Sequence, residues 1–316
     1  MLGPVWFRLG AGNWVQPFAV APWADDDPQQ LATLPPILRR LGGEWPCVPF
    51  GNPGPSLPDR WLAGLDRDLT QTDPWPHGFS ANHRWRLLVN SGTEIMLSIT
   101  YPDDHPVQSL TRVIAKGPDL SLNISLTIKM RKPARLPLGL HPVFALPDTP
   151  GMARLRFSAL RSVHSFPIAV EPGQSVLRPN QQTPDLNRME TISGATFDVT
   201  RLPLAVDAEE LLMVEGHDGC VDLTNHQQGY RTTLNWNKEA FPSCLLWISN
   251  GGRKSYPWNG RFRAIGIEPI VGVFDLGDAH CLNPASPLAR FQAKRVQSLT
   301  PDAVYGTNYC ISVEKV

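Results

Sequence analysis

Single ionisable side chains stand inside apolar segments at two points of the chain, and a proline directly follows each of them. Glu268 lies in AIGIEPIV (residues 264–271), and His141 lies in LGLHPVF (residues 138–144). A third candidate, His77, lies in the proline-rich, aromatic segment DPWPHGF (residues 73–79). An isolated ionised group in an apolar setting is costly unless it is paired or functional. These three residues are therefore the first candidates for chemistry.

A carboxylate and an imidazole make an acid and base pair with different proton affinities. Histidine has the unperturbed pKa nearest neutrality, which suits proton transfer at physiological pH. A glutamate presented at a strand end that proline terminates can act as a general base. Two plainer interpretations stay open: Glu268 could face solvent at a strand edge, and each histidine could be a hydrogen-bonded core residue. The sequence does not show whether the three side chains meet.

Short β-strands are the elements that would position these residues. Alternating or short apolar runs predict strands over 85–89, 94–100, 120–128, 153–157, 161–166, 211–215, 220–224, 230–236, 244–249, 262–268 and 308–315. One short helix is predicted over residues 29–40, and residues 171–193 are expected to form an excursion loop. Many short strands joined by turns, with almost no helix, predict an all-β antiparallel sandwich.

The chain shows no internal repeat and no compositional break that would divide it. We therefore expect a single domain over residues 1–316, with the Pro-, Gly- and Trp-rich residues 1–60 as a lead-in packed on the sandwich. The 32 prolines support this interpretation, because proline breaks helices and is confined to strand edges and turns. A hydrophobic content of 42% is sufficient for a large core.

Charge and cysteine content limit the classes of partner. Lys plus Arg and Asp plus Glu number 29 each, so no net field attracts nucleic acid or an anionic membrane. The five cysteines have no CxxC spacing, which argues against a disulfide framework and a zinc cluster. With no signal-like start and no apolar run of membrane-spanning length, we expect a cytoplasmic monomer or homodimer that uses no metal or cofactor.

Several segments together resemble the aldose 1-epimerase (galactose mutarotase-like) family, which includes hexose-6-phosphate epimerases. The segment PHGF (76–79) followed by Trp85 resembles that family's HGF…W element, and GLHPVF (139–144) resembles its H-P-(Y)-F motif. The segment GIEP (266–269) resembles the motif that carries the family's catalytic glutamate, and GGEWPCVPFG (42–51) resembles an early glycine-rich element. These segments occur in the family's order and span about residues 42 to 275.

The resemblance implies a galactose mutarotase-like β-supersandwich with a sugar cleft, and it implies roles for individual residues. Glu268 would be the general base, His141 the general acid, and His77 a substrate-orienting group or second proton donor. The family also holds sugar hydroxyls with an aspartate in a D-x-x-(F/Y)-x-L segment. The matching stretch DGCVDL (218–223) makes Asp218 the counterpart, although Asp222 shares its face if the segment is extended.

The chain departs from the family at two substrate-binding positions. Galactose mutarotases carry an arginine ahead of the first histidine, where this chain reads FGNPG (50–54) without one. The hexose-phosphate branch continues HGF with Ala-Arg, whereas this chain reads FSAN (79–82), so we expect Asn82 among the substrate-binding residues. Both departures leave the acid and base intact and leave the identity of the sugar open.

Tryptophans and a basic loop are further candidates for substrate contact. Four tryptophans could stack on the apolar face of a pyranose, and the candidates are Trp85, Trp236, Trp247 and Trp258. Core packing is the simpler interpretation for Trp236 and Trp247 on predicted strands, whereas Trp258 lies in a loop. The same loop carries Arg253, Lys254, Arg261 and Arg263, which could be a solvated turn or could bind a phosphate or carboxylate on the sugar.

The sequence thus predicts an isomerase that interconverts the α and β anomers of a hexose by acid and base ring opening. One alternative is a hexose-6-phosphate 1-epimerase, which would require Arg253, Arg261 and Arg263 to converge on the cleft. An alternative of another class is a non-catalytic carbohydrate-binding protein with the same fold.

Overall fold

The computed structural model describes residues 1–52, 57–62, 73–284, 286–290 and 294–316. The first strands, in chain order, are β1 (Phe7–Gly10), β2 (Asn13–Val15), β3 (Pro46–Cys47), β4 (Arg86–Asn90), β5 (Glu94–Thr100), β6 (Val107–Lys116), β7 (Ser121–Met130), β8 (Ala134–Leu136), β9 (Leu138–Leu140), β10 (Val143–Ala145), β11 (Ala153–Phe157) and β12 (Ser162–Ser165). They are followed by β13 (Gln182–Thr183), β14 (Met189–Glu190), β15 (Thr196–Phe197), β16 (Arg201–Leu202), β17 (Ala208–Glu215), β18 (Cys220–Asn225), β19 (Tyr230–Trp236), β20 (Ser243–Asn250), β21 (Arg263–Val271), β22 (Gln297–Leu299) and β23 (Tyr305–Lys315).

The helices are short. They are α1 (Pro28–Ala32), α2 (Pro36–Arg39), α3 (Asp59–Leu62), α4 (Phe79–Asn82) and α5 (Gly277–Leu282), with 3-10 turns at Leu186–Arg188 and Pro287–Arg290. In the part of the chain that the structure describes, no helix has the length and apolar character needed to cross a membrane.

Two large antiparallel sheets make up the fold. Within the described residues, one has the order β13-β12-β17-β20-β21-β9-β3, with β10 also paired to β21. The other has the order β16-β11-β18-β19-β23-β7-β6-β5-β4. We refer to them as the eight-stranded and the nine-stranded sheet. The prediction of an all-β antiparallel sandwich is confirmed.

Successive side chains of a strand point to opposite faces of its sheet, and two apolar clusters lie on the two faces of the eight-stranded sheet. Ile265 and Ile267 of β21 belong to one buried apolar cluster with Ile124 and Ile311 of the nine-stranded sheet, so this cluster lies between the two sheets. On β21, Ala264 and Ile270 point to the opposite face of the sheet, as the period of two requires. The eight-stranded sheet therefore buries both of its faces.

The outer face of the eight-stranded sheet is covered by the lead-in. The cluster on that face joins Trp247 and Phe262 to Trp23, Trp45 and Phe50 from the early part of the chain. Within it, Trp23 packs edge-on against Trp258 with ring centroids 4.6 Å apart. Candidate functional residues on this face are thus enclosed between the sheet and the lead-in.

The structure differs from the sequence-based expectations at several points. The predicted helix over 29–40 is interrupted between α1 and α2, because Pro35 and Pro36 remove two backbone donors in succession. The predicted strand over 262–268 does not stop at Pro269, since β21 continues to Val271. The ten-residue strand β6 was not predicted. The five cysteines are free.

Candidate active site

A gap in the strand next to β21 brings Glu268 and His141 together. Strand β9 pairs Gly139 with Ile270, and strand β10 pairs Val143 with Gly266. Both pairs belong to one register, so His141, in the gap between β9 and β10, lies opposite Glu268. The prolines that follow the two residues lie at the same break, where a missing backbone donor interrupts little regular pairing.

The acid and base candidates are adjacent and buried. His141 Nε2 lies 3.4 Å from Glu268 Oε1, with side-chain exposures of 5% and 1%. Gly266 leaves room for the carboxyl group, because a Cβ there would lie 2.4 Å from Glu268 Oε1. The glycine and the glutamate of the GIEP segment therefore act together in placing the carboxylate on the outer face of the sheet.

The ring of His141 is fixed from two sides. Trp45 stacks on it with centroids 4.2 Å apart and an interplanar angle of 21°. The Trp45 carbonyl oxygen accepts a hydrogen bond from the backbone N–H of His141 at 2.9 Å. His77 meets the same ring edge-on, with centroids 5.1 Å apart. The structure thus brings together the three residues predicted to be catalytic.

The loop before α4 holds His77 in an uncommon conformation. His77 has φ of 57°, in the left-handed region, and Gly78 follows with φ of 81°. A Cβ at Gly78 would lie 2.5 Å from the Val48 carbonyl oxygen, so only glycine fits this close backbone approach. A non-glycine residue in this region is held by its surroundings and often marks a functional site.

Burial shifts the proton affinities of all three residues towards their uncharged forms. Burial raises the pKa of Glu268 well above its usual range, and the neighbouring Asp275 carboxyl raises it further. Burial lowers the pKa of His141 well below its usual value, and His77 lowers it further. Burial also lowers the pKa of His77 to about 4. A general base at Glu268 and a general acid at His141 would be a carboxylate and an imidazolium. Burial instead favours a carboxylic acid at Glu268 and a neutral imidazole at His141.

A cavity of about 220 Å³ lies over these residues. Besides the three candidates, its lining consists of Pro35, Ile37, Leu38, Leu41, Trp45, Asn52, Pro76, Leu211, Leu245, Trp247, Arg253, Trp258 and Asp275. One side is aliphatic and comes from α2 and its flanks, whereas the polar groups come from the sheet and its loops. Pockets of about 300–1,000 Å³ take drug-sized ligands, so this one suits a single smaller molecule.

Sequence reasoning did not identify two of the polar residues in the lining. Asp275 follows β21 in the segment GVFDLG (272–277), and Asn52 donates from Nδ2 to Asp275 Oδ2 at 2.6 Å. The signal that could have found Asp275 is the one used for Glu268, a single acid in an apolar segment. Asn52 lies in the FGNPG segment, where the family's arginine is missing.

The basic loop after β20 contributes one residue to the cavity. Arg253 Nε lies 3.1 Å from the buried Glu209 Oε1, and the guanidinium lies 4.7 Å from the Trp258 ring centroid. Arg261 instead pairs with Asp26, and Arg263 pairs with Asp207 at 3.4 Å. The convergence of three arginines that a phosphate site would require does not occur.

The remaining predicted substrate-binding residues have different positions. Trp258 lines the cavity, as does Trp247, which is thus more than a core residue. Asn82 is buried behind the His77 loop and is not part of the lining. Asp218 is exposed and outside the lining, where its carboxylate accepts hydrogen bonds from Ser158 Oγ at 2.7 Å. Arg261 is likewise outside the lining.

Among the residues that the structure describes, no three His, Cys, Asp or Glu side chains are grouped so that they could hold a metal ion.

The fold is that of galactose mutarotase-like proteins. The chain is similar to a Caenorhabditis elegans homologue of aldose epimerase, with a TM-score of 0.59 and 14% identity, over 100% of this chain and 93% of that one. It is similar to a galactose mutarotase-like protein from Lactobacillus casei, with a TM-score of 0.56 and 17% identity, over 88% and 86% of the two chains. A candidate aldose 1-epimerase from Escherichia coli K12 gives a TM-score of 0.57 and 15% identity, over 87% and 84%.

Sequence comparison adds nothing to this likeness. No family model matches the chain, and no curated protein matches it. At these identities the likeness to solved structures defines the fold, and the activity has to be argued from the cavity itself.

Proposed function

We propose that this protein is an aldose 1-epimerase-like mutarotase, which interconverts the α and β anomers of a hexose. The observation that carries the proposal is the buried pair of Glu268 and His141, 3.4 Å apart at the wall of a small cavity. Among the described residues, Glu268 Oε2 and His77 Nδ1 are buried without a hydrogen-bond partner. Buried polar atoms are rarely left unpaired in native proteins, so two of them at one cavity support a polar ligand there.

The reaction requires two proton transfers in opposite directions. Glu268 accepts the proton of the anomeric hydroxyl, and His141 donates a proton to the ring oxygen. The bond between C1 and the ring oxygen then breaks, and C1 becomes an aldehyde carbon. Rotation about the C1–C2 bond followed by the reverse transfers closes the ring on the other face. No atom is gained or lost, and the pair returns to its starting protonation.

For these steps, the pair of Glu268 and His141 needs one transferable proton. Burial favours its location on Glu268, and movement of the proton to His141 across 3.4 Å creates the active carboxylate and imidazolium. In that form the carboxylate is a stronger base, and the imidazolium a stronger acid, than either group in water. His77, edge-on to His141, is suited to orient the ring oxygen or to act as a second donor.

Replacement of Glu268 by glutamine tests the proposal. Glu268→Gln keeps the size of the side chain and removes the base, so the enzyme-dependent rate of anomer exchange should fall about 10²- to 10⁴-fold. The measurement is saturation-transfer NMR on a panel of glucose, galactose, their 6-phosphates and a hexuronic acid. Glu239→Gln, which changes an exposed glutamate, is the matched control, and circular dichroism checks that both variants fold.

The test also separates catalysis from binding. Exchange that Glu268→Gln leaves unchanged would remove Glu268 from the mechanism. A wild-type protein that binds one of these sugars without accelerating its exchange would instead be a carbohydrate-binding protein with this fold. In that case Glu268→Gln would weaken binding alone.

A further inference from the structure

Asp275 is a second carboxyl group in the cavity, and the proposed proton transfers do not use it. It is half-buried in the lining and close enough to Glu268 to raise the pKa of that residue. Burial raises the pKa of Asp275 as well, while the hydrogen bond from Asn52 and the charge of Arg253 oppose the rise. A carboxyl group at this location is costly for folding, which calls for a functional explanation.

Two hydrogen bonds hold Asp275 in place from the loop after β3. Asn52 Nδ2 donates to Asp275 Oδ2 at 2.6 Å, and the backbone N–H of Asn52 donates to the Asp275 carbonyl oxygen at 2.6 Å. The side chain is thereby fixed through one oxygen. Among the described residues, no hydrogen bond from another side chain reaches Oδ1.

The backbone of the loop that carries Asp275 lies very close to the backbone of the loop that carries Asn52. A Cβ at Gly51 would lie 2.3 Å from the backbone nitrogen of Gly277, and a Cβ at Gly277 would lie 3.0 Å from the Asn52 carbonyl oxygen. Phe274, just before Asp275, has φ of 47°, in the left-handed region that a bulky residue rarely adopts. The two loops are therefore locked against each other with the carboxyl group at the cavity.

The polar groups near the cavity do not favour an anion. Glu268 and Asp275 contribute two carboxyl groups, and Arg253 is engaged by Glu209 at 3.1 Å. The other cations of the same loop pair elsewhere, since Lys254 and Arg263 both lie at Asp207. A phosphate or carboxylate on a sugar would meet two acids and one guanidinium that is already paired.

We propose that Asp275, held by Asn52, binds sugar hydroxyl groups and makes the cavity specific for uncharged sugars. The inference rests on the proposed function and names the class of substrate for that site. A carboxyl oxygen accepts hydrogen bonds from hydroxyl donors, which a neutral hexopyranose offers at C2, C3, C4 and C6. The same oxygen repels a phosphate, so one residue both attracts the neutral sugar and excludes its phosphorylated form.

Asp275→Asn tests this role, because asparagine keeps the shape and removes the charge. We expect the KM for a neutral hexose to rise roughly tenfold to hundredfold, the range for loss of a hydrogen bond to a charged group. The ratio of kcat/KM for the neutral hexose to that for its 6-phosphate should fall by a similar factor. Asn52→Ala, which releases Asp275, should shift both quantities in the same direction by less.

Asp302→Asn is the matched control, since it makes the same change at an exposed site outside the cavity, and it should leave KM and the ratio unchanged. Wild-type preference for a 6-phosphate, or an Asp275→Asn variant that behaves like wild type, would overturn the inference and leave the isomerase standing.

A binding measurement distinguishes failure of the inference from failure of the proposed function. A methyl hexoside cannot open its ring, so calorimetric titration with it reports binding alone. If no sugar exchanges but Asp275→Asn weakens methyl hexoside binding, the hydroxyl-binding role stands and the isomerase falls. If the wild-type protein neither exchanges nor binds any of these sugars, both are overturned.

Discussion

Burial favours the uncharged form of both Glu268 and His141, and this determines how many protons the pair holds at each pH. A buried carboxyl keeps its proton to higher pH than a free one, and a buried imidazole gains its second proton only at lower pH. The raised pKa of Glu268 and the lowered pKa of His141 therefore widen the range in which the pair carries one proton. That form is the one that the proposed mechanism uses.

The pH profile of anomer exchange should consequently have a broad plateau. On the acid side, activity is lost when a second proton charges the imidazoles, and His77 has a pKa of about 4, so this limb should lie below pH 6.5. On the alkaline side, activity is lost when the single proton leaves, and the raised pKa of Glu268 places that limb well above 4.5. The measurement is kcat/KM against pH, corrected for the spontaneous rate at each pH.

Other titratable groups near Glu268 could alter the pH profile of anomer exchange. Asp275 and the thiols of Cys47 and Cys244 lie near Glu268. Burial raises the pKa of both thiols, so the two thiols remain uncharged across the plateau. An acid limb at or above pH 6.5 would show that the histidines titrate as free imidazoles and would contradict the buried-pair account.

The His77 loop is an element whose shape depends on two side chains. Asp73 accepts from the backbone N–H groups of Trp75 and Phe79 at 2.8 and 2.6 Å. Asn82 donates from Nδ2 to the carbonyl oxygens of Pro76 and Gly78 at 2.7 and 2.9 Å. Asn82 thus closes the loop on both sides of His77, and we interpret it as a positioning residue rather than a substrate ligand.

Loss of the Asn82 donors should misplace His77 and slow the reaction. Asn82→Ala is expected to lower kcat between about 10- and 100-fold, as small misplacements near reacting groups do, with a smaller change in KM. Asn82→Asp keeps an acceptor for the backbone N–H of Ile37 but loses both donations, so it should be no better.

The exposed change Asn308→Ala is the control for this pair of variants. An Asn82→Asp variant with wild-type kcat would show that the two donations do not hold the loop. Anomer exchange under saturating sugar gives the comparison directly.

Individual elements also show what the sequence could predict. Strand β19 has the predicted bounds, because every second residue along it is buried and the residues between them are not. Strand β6 escaped prediction for two reasons: its pairing with β7 is irregular between Val107 and Ser109, and the inward-facing Arg112 interrupts its apolar pattern. A charged residue on the buried face of a strand breaks the alternation of apolar and polar residues by which strands are predicted.

The site divides in the same way. Glu268, His141 and His77 were named as candidates because single ionisable residues in apolar or aromatic surroundings are visible in the sequence, and the fold brings them together. Asn52 and Asp275 come from separate loops that the fold brings together, and their contact spans 223 residues of chain. No local pattern encodes that contact, so only the structure could reveal it.

At the scale of the molecule, a buried polar cluster connects the lead-in to the nine-stranded sheet. Glu44 pairs with Arg112 of β6, Tyr309 of β23 donates its hydroxyl hydrogen to Glu44, and Arg112 donates to the Tyr309 hydroxyl oxygen at 3.1 Å. All three side chains are buried. Glu44 directly precedes Trp45, which stacks on His141, so the cluster fixes the segment that supports the site.

Removal of one member of this cluster should destabilise the whole protein. Arg112→Met leaves the buried Glu44 carboxylate without its counter-charge, which typically costs about 3–5 kcal/mol of unfolding free energy. The double change Glu44→Met and Arg112→Met removes both charges and should recover much of that loss. Urea unfolding followed by tryptophan fluorescence measures both variants.

The exposed change Arg156→Met is the control and should stay within about 0.5 kcal/mol of wild type. A double variant no more stable than Arg112→Met would show that the lost stability comes from packing rather than from the unpaired carboxylate.

The gap between β9 and β10 has a consequence for how such a protein can diverge. Because both strands keep one register with β21, the spacing of Glu268 and His141 is a repeat distance of the backbone. Exchange of core side chains leaves that distance unchanged, whereas one residue inserted or deleted between 139 and 143 would turn His141 to the other face of the sheet. The distance between Glu268 and His141 therefore tolerates substitutions in the core but does not tolerate a change in the length of the segment between β9 and β10. Proteins of this fold can keep this geometry after nearly all recognisable sequence similarity is lost.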